Sequence, residues 1–183
     1  MAAPAYRFPA FWTESDLDAM PDDGHRYEII NGSLVMAPPS TDGHQSIGVQ
    51  LLLALRDSAP KPWRVLYELG IRIPGGNLIP DLVVLYPHAA RDVDWRDPRD
   101  VALVVEIASP STEDYDRTIK QLKYAQAGIP AYWRVARDGT VTVHALVAEA
   151  QYGIIATVKP GASWKATFPF EVTLNPDALV ADL

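Results

Sequence analysis

The sequence predicts an α/β fold of the α+β-like kind, with a mixed central β-sheet flanked by helices. Three observations carry this expectation. The dipeptides Asn31-Gly32 and Asp138-Gly139 each stand between apolar, β-branched runs, the signature of a tight antiparallel hairpin. Residues 101–108 are apolar except for Glu106, as in a strand covered on both faces. Apolar residues at helical spacing lie between the strands, so helices must cover the sheet.

Taken in order, Thr13-Glu14-Ser15-Asp16 pairs an N-cap threonine with an acid three residues on, opening a short helix through Met20 that Pro21 ends. Residues 27–36 form the first hairpin, and Pro38-Pro39 breaks its second strand. Ser40 or Thr41 then caps a helix with Ile47, Leu51, Leu52 and Leu55 on one face, closed by Pro60 and Pro62. Residues 63–73 read as one strand, which turns through Pro74-Gly75-Gly76-Asn77 into another at 78–86. The polar, proline-bearing stretch 87–100 reads as a surface loop, and the strand at 101–108 belongs at the centre of the sheet. Glu113 and Asp114 favour a helix N-terminus; that helix ends at Gly128, with Pro130 beyond it. The second hairpin follows, then strands at 152–158 and 170–174, and Asn175-Pro176 opens a terminal helix.

With 183 residues the chain fits a single domain, residues 1–183, with its core over roughly 12–180. The absence of cysteine excludes disulfide frameworks and thiolate zinc sites. No apolar run approaches the roughly 20 residues needed to cross a membrane. The N-terminus lacks the charged start and apolar core of a signal peptide, so a cytoplasmic location is expected. A formal charge of −7 argues against a broad nucleic-acid face. It leaves room for a local one, because Arg117, Lys120, Lys123, Arg134 and Arg137 follow one another with no acid between them. That cluster is either a solvated helix face with a hairpin edge or a small phosphate-facing patch.

Two of the apolar runs carry an acid where a buried strand should carry none. Asp81 precedes Val83, Val84 and Leu85, and Glu106 follows Val101, Leu103, Val104 and Val105. A carboxylate in such surroundings must be paired, hydrogen-bonded or bound to a cation. Neighbouring strands lie about 5 Å apart, so two acids on one side can share one or two divalent ions. The structural alternative is that Asp81 caps a bulge while Glu106 pairs with Arg64 or Arg72. The helix after Glu106 supplies a lysine. With Ile119 at the centre of its buried face, Lys123 lies about 40° away and Lys120 about 100°, which favours Lys123 as the inward one. His44, near the start of the second helix, either touches phosphate or packs and caps, and packing is the ordinary role. Tyr124, one turn beyond Lys120, either orients that lysine or packs. Residues 109–112 bring backbone N–H groups to a helix start, where an anion can sit or a plain cap suffices. Trp63, Trp95 and Trp164 are candidate surface contacts.

Several segments together resemble a known family. They are Tyr27-Glu28-Ile29-Ile30-Asn31-Gly32, Pro80-Asp81-Leu82-Val83-Val84, and Val104-Val105-Glu106-Ile107-Ala108-Ser109-Pro110-Ser111-Thr112. The pattern continues through Tyr115-Asp116-Arg117, Lys120, Tyr124 and Ala127-Gly128-Ile129-Pro130-Ala131-Tyr132-Trp133. In order and spacing they resemble the putative restriction endonuclease family, formerly a domain of unknown function, of the PD-(D/E)xK nuclease superfamily. The resemblance implies a restriction-endonuclease-like fold and a divalent-metal-dependent endonuclease that hydrolyses phosphodiester bonds of DNA. It implies Asp81, Glu106 and Lys120 as catalytic residues, and Glu28, Asp81 and Glu106 as ligands of Mg2+ or Mn2+. The alternative for Glu28 is a hairpin-edge acid facing water. A homodimer is expected, since cutting both strands of a duplex takes two sites. The superfamily pattern places its lysine two residues after the second acid, where this chain has Ala108. Members resembling this chain carry it on the next helix, at the position of Lys120. That departure keeps a second expectation open: a catalytically weak or inactive nuclease fold that binds nucleic acid or protein.

Overall fold

The computed structural model describes residues 9–109 and 116–181. Thr13 donates its backbone N–H to the Asp16 carboxylate at 2.7 Å. This capping pair opens a single helical turn, α1 (Glu14–Leu17), shorter than the run to Met20 that the sequence predicts. The first hairpin is formed by β1 (Arg26–Ile30) and β2 (Ser33–Ala37). Asn31 and Gly32 both take positive φ, 51° and 76°, as the tight turn requires. Thr41 caps α2 (Asp42–Ser58) by accepting the His44 N–H. Ile47, Leu51 and Leu55 form its buried stripe, and His44 lies on the same stripe.

The two strands expected at 63–73 and 78–86 each break in the middle. The first divides into β3 (Arg64–Tyr67) and β4 (Gly70–Ile73), the second into β5 (Gly76–Leu78) and β6 (Leu82–Leu85). β4 pairs with β5 and β3 with β6, so the unit remains one antiparallel hairpin with a bend across both arms. In one arm Glu68 turns to φ 47°; in the other Pro80 has no N–H to extend the ladder past Leu82–Val105. The Glu68 N–H reaches across to the Asp81 carbonyl at 3.0 Å and fixes the bend. Beyond it, Gly76 lies so close to the Ile29 carbonyl oxygen that no Cβ would fit.

Within the stretch expected as a loop, β7 (Trp95–Arg96) runs parallel to β4. The next strand, β8 (Val101–Ile107), is buried at every position. A π-helical turn over Asp116–Lys120 leads into α3 (Gln121–Gln126), which Gly128 ends at φ 74° as expected. The N-terminus expected for this helix at Glu113-Asp114 lies outside the described residues. β9 (Ala131–Val135) and β10 (Val141–Ala148) form the second hairpin, and β11 (Gln151–Val158) pairs with β10. β12 (Trp164–Ala166) and β13 (Val172–Leu174) make a two-stranded ribbon, and α4 (Pro176–Leu179) follows Asn175.

The fold is mixed α/β, with the strands shared among several sheets. The order is β11-β10-β9-β8-β6-β3 in one sheet and β2-β1-β5-β4-β7 in another. β8 is interior, antiparallel to β6 and parallel to β9. One face of the larger sheet, with Leu82, Val84, Leu103 and Val105, packs against Ile47, Leu51 and Leu55 of α2. The other, with Val83, Leu85, Val104 and Tyr132, packs with Ile30, Ile71 and Leu78 of the smaller sheet and Tyr124 of α3. The bent hairpin is the only unit that belongs to both sheets among the described residues.

Candidate active site

At the bend the backbone cannot satisfy itself, and side-chain carboxylates complete its hydrogen bonds. Past the end of the β6–β8 ladder, the N–H of Ile107 donates to Asp81 Oδ2 at 2.7 Å. The N–H of Ile79 donates to Glu28 Oε1 at 2.7 Å from across the smaller sheet. Glu106, on the interior strand β8, accepts the Tyr124 hydroxyl at 2.6 Å. All three acids are buried. Asp81 and Glu106 thus lie at the same end of neighbouring strands, as the sequence leads one to expect, and Glu28 joins them from β1.

Basic side chains meet these acids. Lys120 Nζ lies 3.0 Å from Glu28 and 3.4 Å from Glu106, bridging the two. Arg26 Nη1 donates to Asp81 Oδ1 at 2.8 Å, and His44 Nε2 lies 3.2 Å from Asp81 Oδ2. Lys123 faces elsewhere, donating to the Asn31 side chain at 2.5 Å and the Pro74 carbonyl at 3.0 Å. Lys123 is buried, as the helical spacing predicts, but so is Lys120, and it is Lys120 that contacts the acids. Both lysines are buried, so neither belongs to a solvated helix face, while Arg137 of the same cluster is exposed. Arg64 and Arg72 do not reach Glu106; they bond the carbonyls of Ala89 and Ala90, and Glu14 with Trp95, respectively. Glu28 is no water-facing hairpin acid, and the three tryptophans are half-buried rather than open contacts. The anion-binding reading of residues 109–112 falls largely outside the described residues.

Burial alone would raise the Asp81 pKa. The His44 hydrogen bond, the Arg26 charge and the Ile107 N–H outweigh it and hold the carboxyl down to about 2. For Arg26, burial pulls the opposite way from Asp81, Glu106 and Glu28, and the three acids prevail, raising its pKa. Tyr124 is pushed well above the usual phenol range, first by burial and then by the Glu106 and Glu28 charges, so it stays a proton donor to Glu106.

From sequence Arg26 has no assigned role, and His44 and Tyr124 read mainly as packing residues. Arg26 stands two residues before Glu28 on one strand, hence on the same face, and that alternation is its signal. His44 shares the stripe of Ile47, Leu51 and Leu55, which places it indoors. Tyr124 packs 5.9 Å from Tyr132, as its aromatic character suggests, but its hydroxyl also holds Glu106.

Comparison with known proteins bears on this arrangement. Residues 14–177 match the model of the Uma2 family, described as putative restriction endonuclease. The chain belongs to that family. Among solved structures, the Uma2-family fold seen here is similar to a putative nuclease belonging to DUF820 from Anabaena variabilis ATCC 29413. The TM-score is 0.69 at 16% identity, over 94% of this chain and 93% of that one, a likeness of fold. No curated protein sequence matches the chain.

Glu28, Asp81 and Glu106 offer only carboxylate oxygens, the donor chemistry that Mg2+ and Mn2+ prefer. In the arrangement described, Arg26 and Lys120 occupy them. Among the described residues, no three acidic or histidine side chains stand close enough to hold an ion together.

Proposed function

We propose that this Uma2-family chain is a divalent-metal-dependent endonuclease acting on phosphodiester bonds of DNA. The observation that supports it is convergence: Glu28, Asp81, Glu106 and Lys120 come from separate elements and meet at one buried bend. In this reading Asp81, Glu106 and Glu28 are the ligands of Mg2+ or Mn2+. A bound ion of this kind supplies an activated water and stabilises charge on the phosphate. The chain's own groups do the rest. Tyr124 holds Glu106, and the Ile107 N–H with His44 holds Asp81, so the fold sets the orientation of each of these two carboxylates. Lys120, an ammonium held between two acids, brings a positive charge to the reacting phosphate. A cavity of about 680 Å³ adjoins the corner through His44 and Ala108, with Arg137 on its wall, and offers a way in for a nucleic-acid strand.

The test is cleavage of plasmid and single-stranded DNA in Mg2+ or Mn2+. Asp81→Ala should lower the rate by about two orders of magnitude or more, the scale of losing one electrostatic element of a reacting site. Equal cutting by wild type and variant rejects the assignment. The reading includes a homodimer, checked by sedimentation, and a cytoplasmic location. Among the described residues, no helix is long and apolar enough to cross a membrane.

A second reading, a nuclease fold kept for binding, draws on two observations. The corner is already neutralised by its own cations, and Ala108 fills the superfamily's lysine position. DNA affinity that falls steeply with salt, without cleavage and without Mn2+ uptake, would favour it.

A further inference from the structure

The cations of the corner differ in how firmly they are held. Lys120 is 7% exposed and lies between two carboxylates. Arg26 is 21% exposed, and its Nη1 has a second carboxylate nearby: Glu68 Oε1 at 3.6 Å, on a side chain 39% exposed. Arg26 and Glu68 also line one cavity of about 330 Å³, together with Asp22 and Tyr27, so the guanidinium has room to move and an anion to move toward. On Asp81, Oδ2 already takes the Ile107 N–H and the His44 ring, which uses its two lone pairs. Only Oδ1 remains, and Arg26 sits 2.8 Å from it. An ion bound to Oδ1 at about 2.1 Å would stand no more than about 5 Å from the guanidinium nitrogen, in a buried place where like charges repel strongly.

We propose that Arg26 is an exchangeable counter-ion: a divalent cation takes Asp81 Oδ1 only as the Arg26 guanidinium leaves it for Glu68. Arg26 and Glu68 then act as positioning residues that set metal affinity. The inference rests on the metal-binding reading given above.

The experiment is Mn2+ binding to the full chain, followed by calorimetry and by the EPR signal of free Mn2+. Arg26→Gln should bind Mn2+ at least about tenfold more tightly than wild type, and Glu68→Gln several-fold more weakly. General damage to the fold would weaken both, so opposite signs are diagnostic. Asp22→Asn removes an equal charge from the same cavity wall and should leave affinity within about twofold; a loss matching that of Glu68→Gln overturns the proposal. Mg2+ should also shift the Arg26 side-chain nitrogen resonance in wild type and not in Asp81→Asn. If Asp81→Asn abolishes binding yet Arg26→Gln binds no better than wild type, the exchange is wrong and the metal reading stands. If Asp81→Asn binds as wild type does, or no variant takes up Mn2+, the metal reading falls and the exchange with it. Should Arg26→Gln fail to fold, Glu68→Gln decides: unchanged or tighter binding overturns the proposal.

Discussion

Asp81 and the Glu28–Glu106 pair share one bend but are neutralised in different ways. Lys120 contacts both members of the pair from inside the protein, and burial leaves its ammonium no alternative in water. Arg26 contacts Asp81 from the rim, beside Glu68 and an open cavity. The first cation is therefore part of the framework, and the second is a partner that can be replaced. The difference teaches that a cluster of buried acids is not one electrostatic object: each carboxylate's availability depends on how its own counter-ion can leave.

Breaking the fixed half should cost most. Lys120→Met leaves Glu28 and Glu106 facing each other without the ammonium between them, and loss of one partner of a buried ion pair costs about 3–5 kcal/mol. Arg26→Gln should cost less than half as much, because Asp81 keeps the Ile107 N–H and His44. Urea unfolding of the two variants in chelator measures the contrast; equal losses would remove the distinction between the halves.

A second effect isolates Asp81. Its carboxyl titrates near 2 in the folded protein and near 3.8 unfolded, so folding favours the ionised form. The contribution is fully present above the unfolded value and is lost as pH falls from about 4 toward about 2. Its size is about 2 kcal/mol, from roughly 1.36 kcal/mol per pKa unit. Metal-free wild type should thus lose about 2 kcal/mol of its stability advantage over Asp81→Asn between pH 5 and pH 2. A difference that stays constant with pH means Asp81 is not held ionised by its neighbours.

What could be read from the sequence follows the range of the physics involved. Both hairpin turns were legible because Asn31-Gly32 and Asp138-Gly139 act through their own backbone preferences. The interior position of β8 was legible from its apolar run, interrupted only by Glu106. That Asp81 and Glu106 lie at the same end of adjacent strands followed from the two apolar runs that carry them. The bend was only half visible. Pro80 signals a break, but nothing local says that Glu68 will take φ 47°, a conformation imposed by the contact with Asp81 across the hairpin. The partners of the acids were hidden for a similar reason. Arg26 reaches Asp81 over 55 positions of sequence, and Lys120 reaches Glu28 over 92. No periodicity encodes such pairings; they become visible only once the two sheets are folded around the bent hairpin.

The smallest expected effect separates the two lysines of one helix. Lys123 is as deeply set as Lys120, yet its hydrogen-bond partners, Asn31 and Pro74, are on exposed turns. Water can replace the ammonium there, so Lys123→Met should cost only about 1 kcal/mol, the net value of an ordinary hydrogen bond. It touches none of the three acids and should leave Mn2+ affinity and DNA cleavage within about twofold of wild type, while Lys120→Met lowers cleavage by about two orders of magnitude. The measurement is a parallel assay of both variants at matched folded fraction. A Lys123→Met protein that is stable but as inactive as Lys120→Met would move the reacting-site role to Lys123.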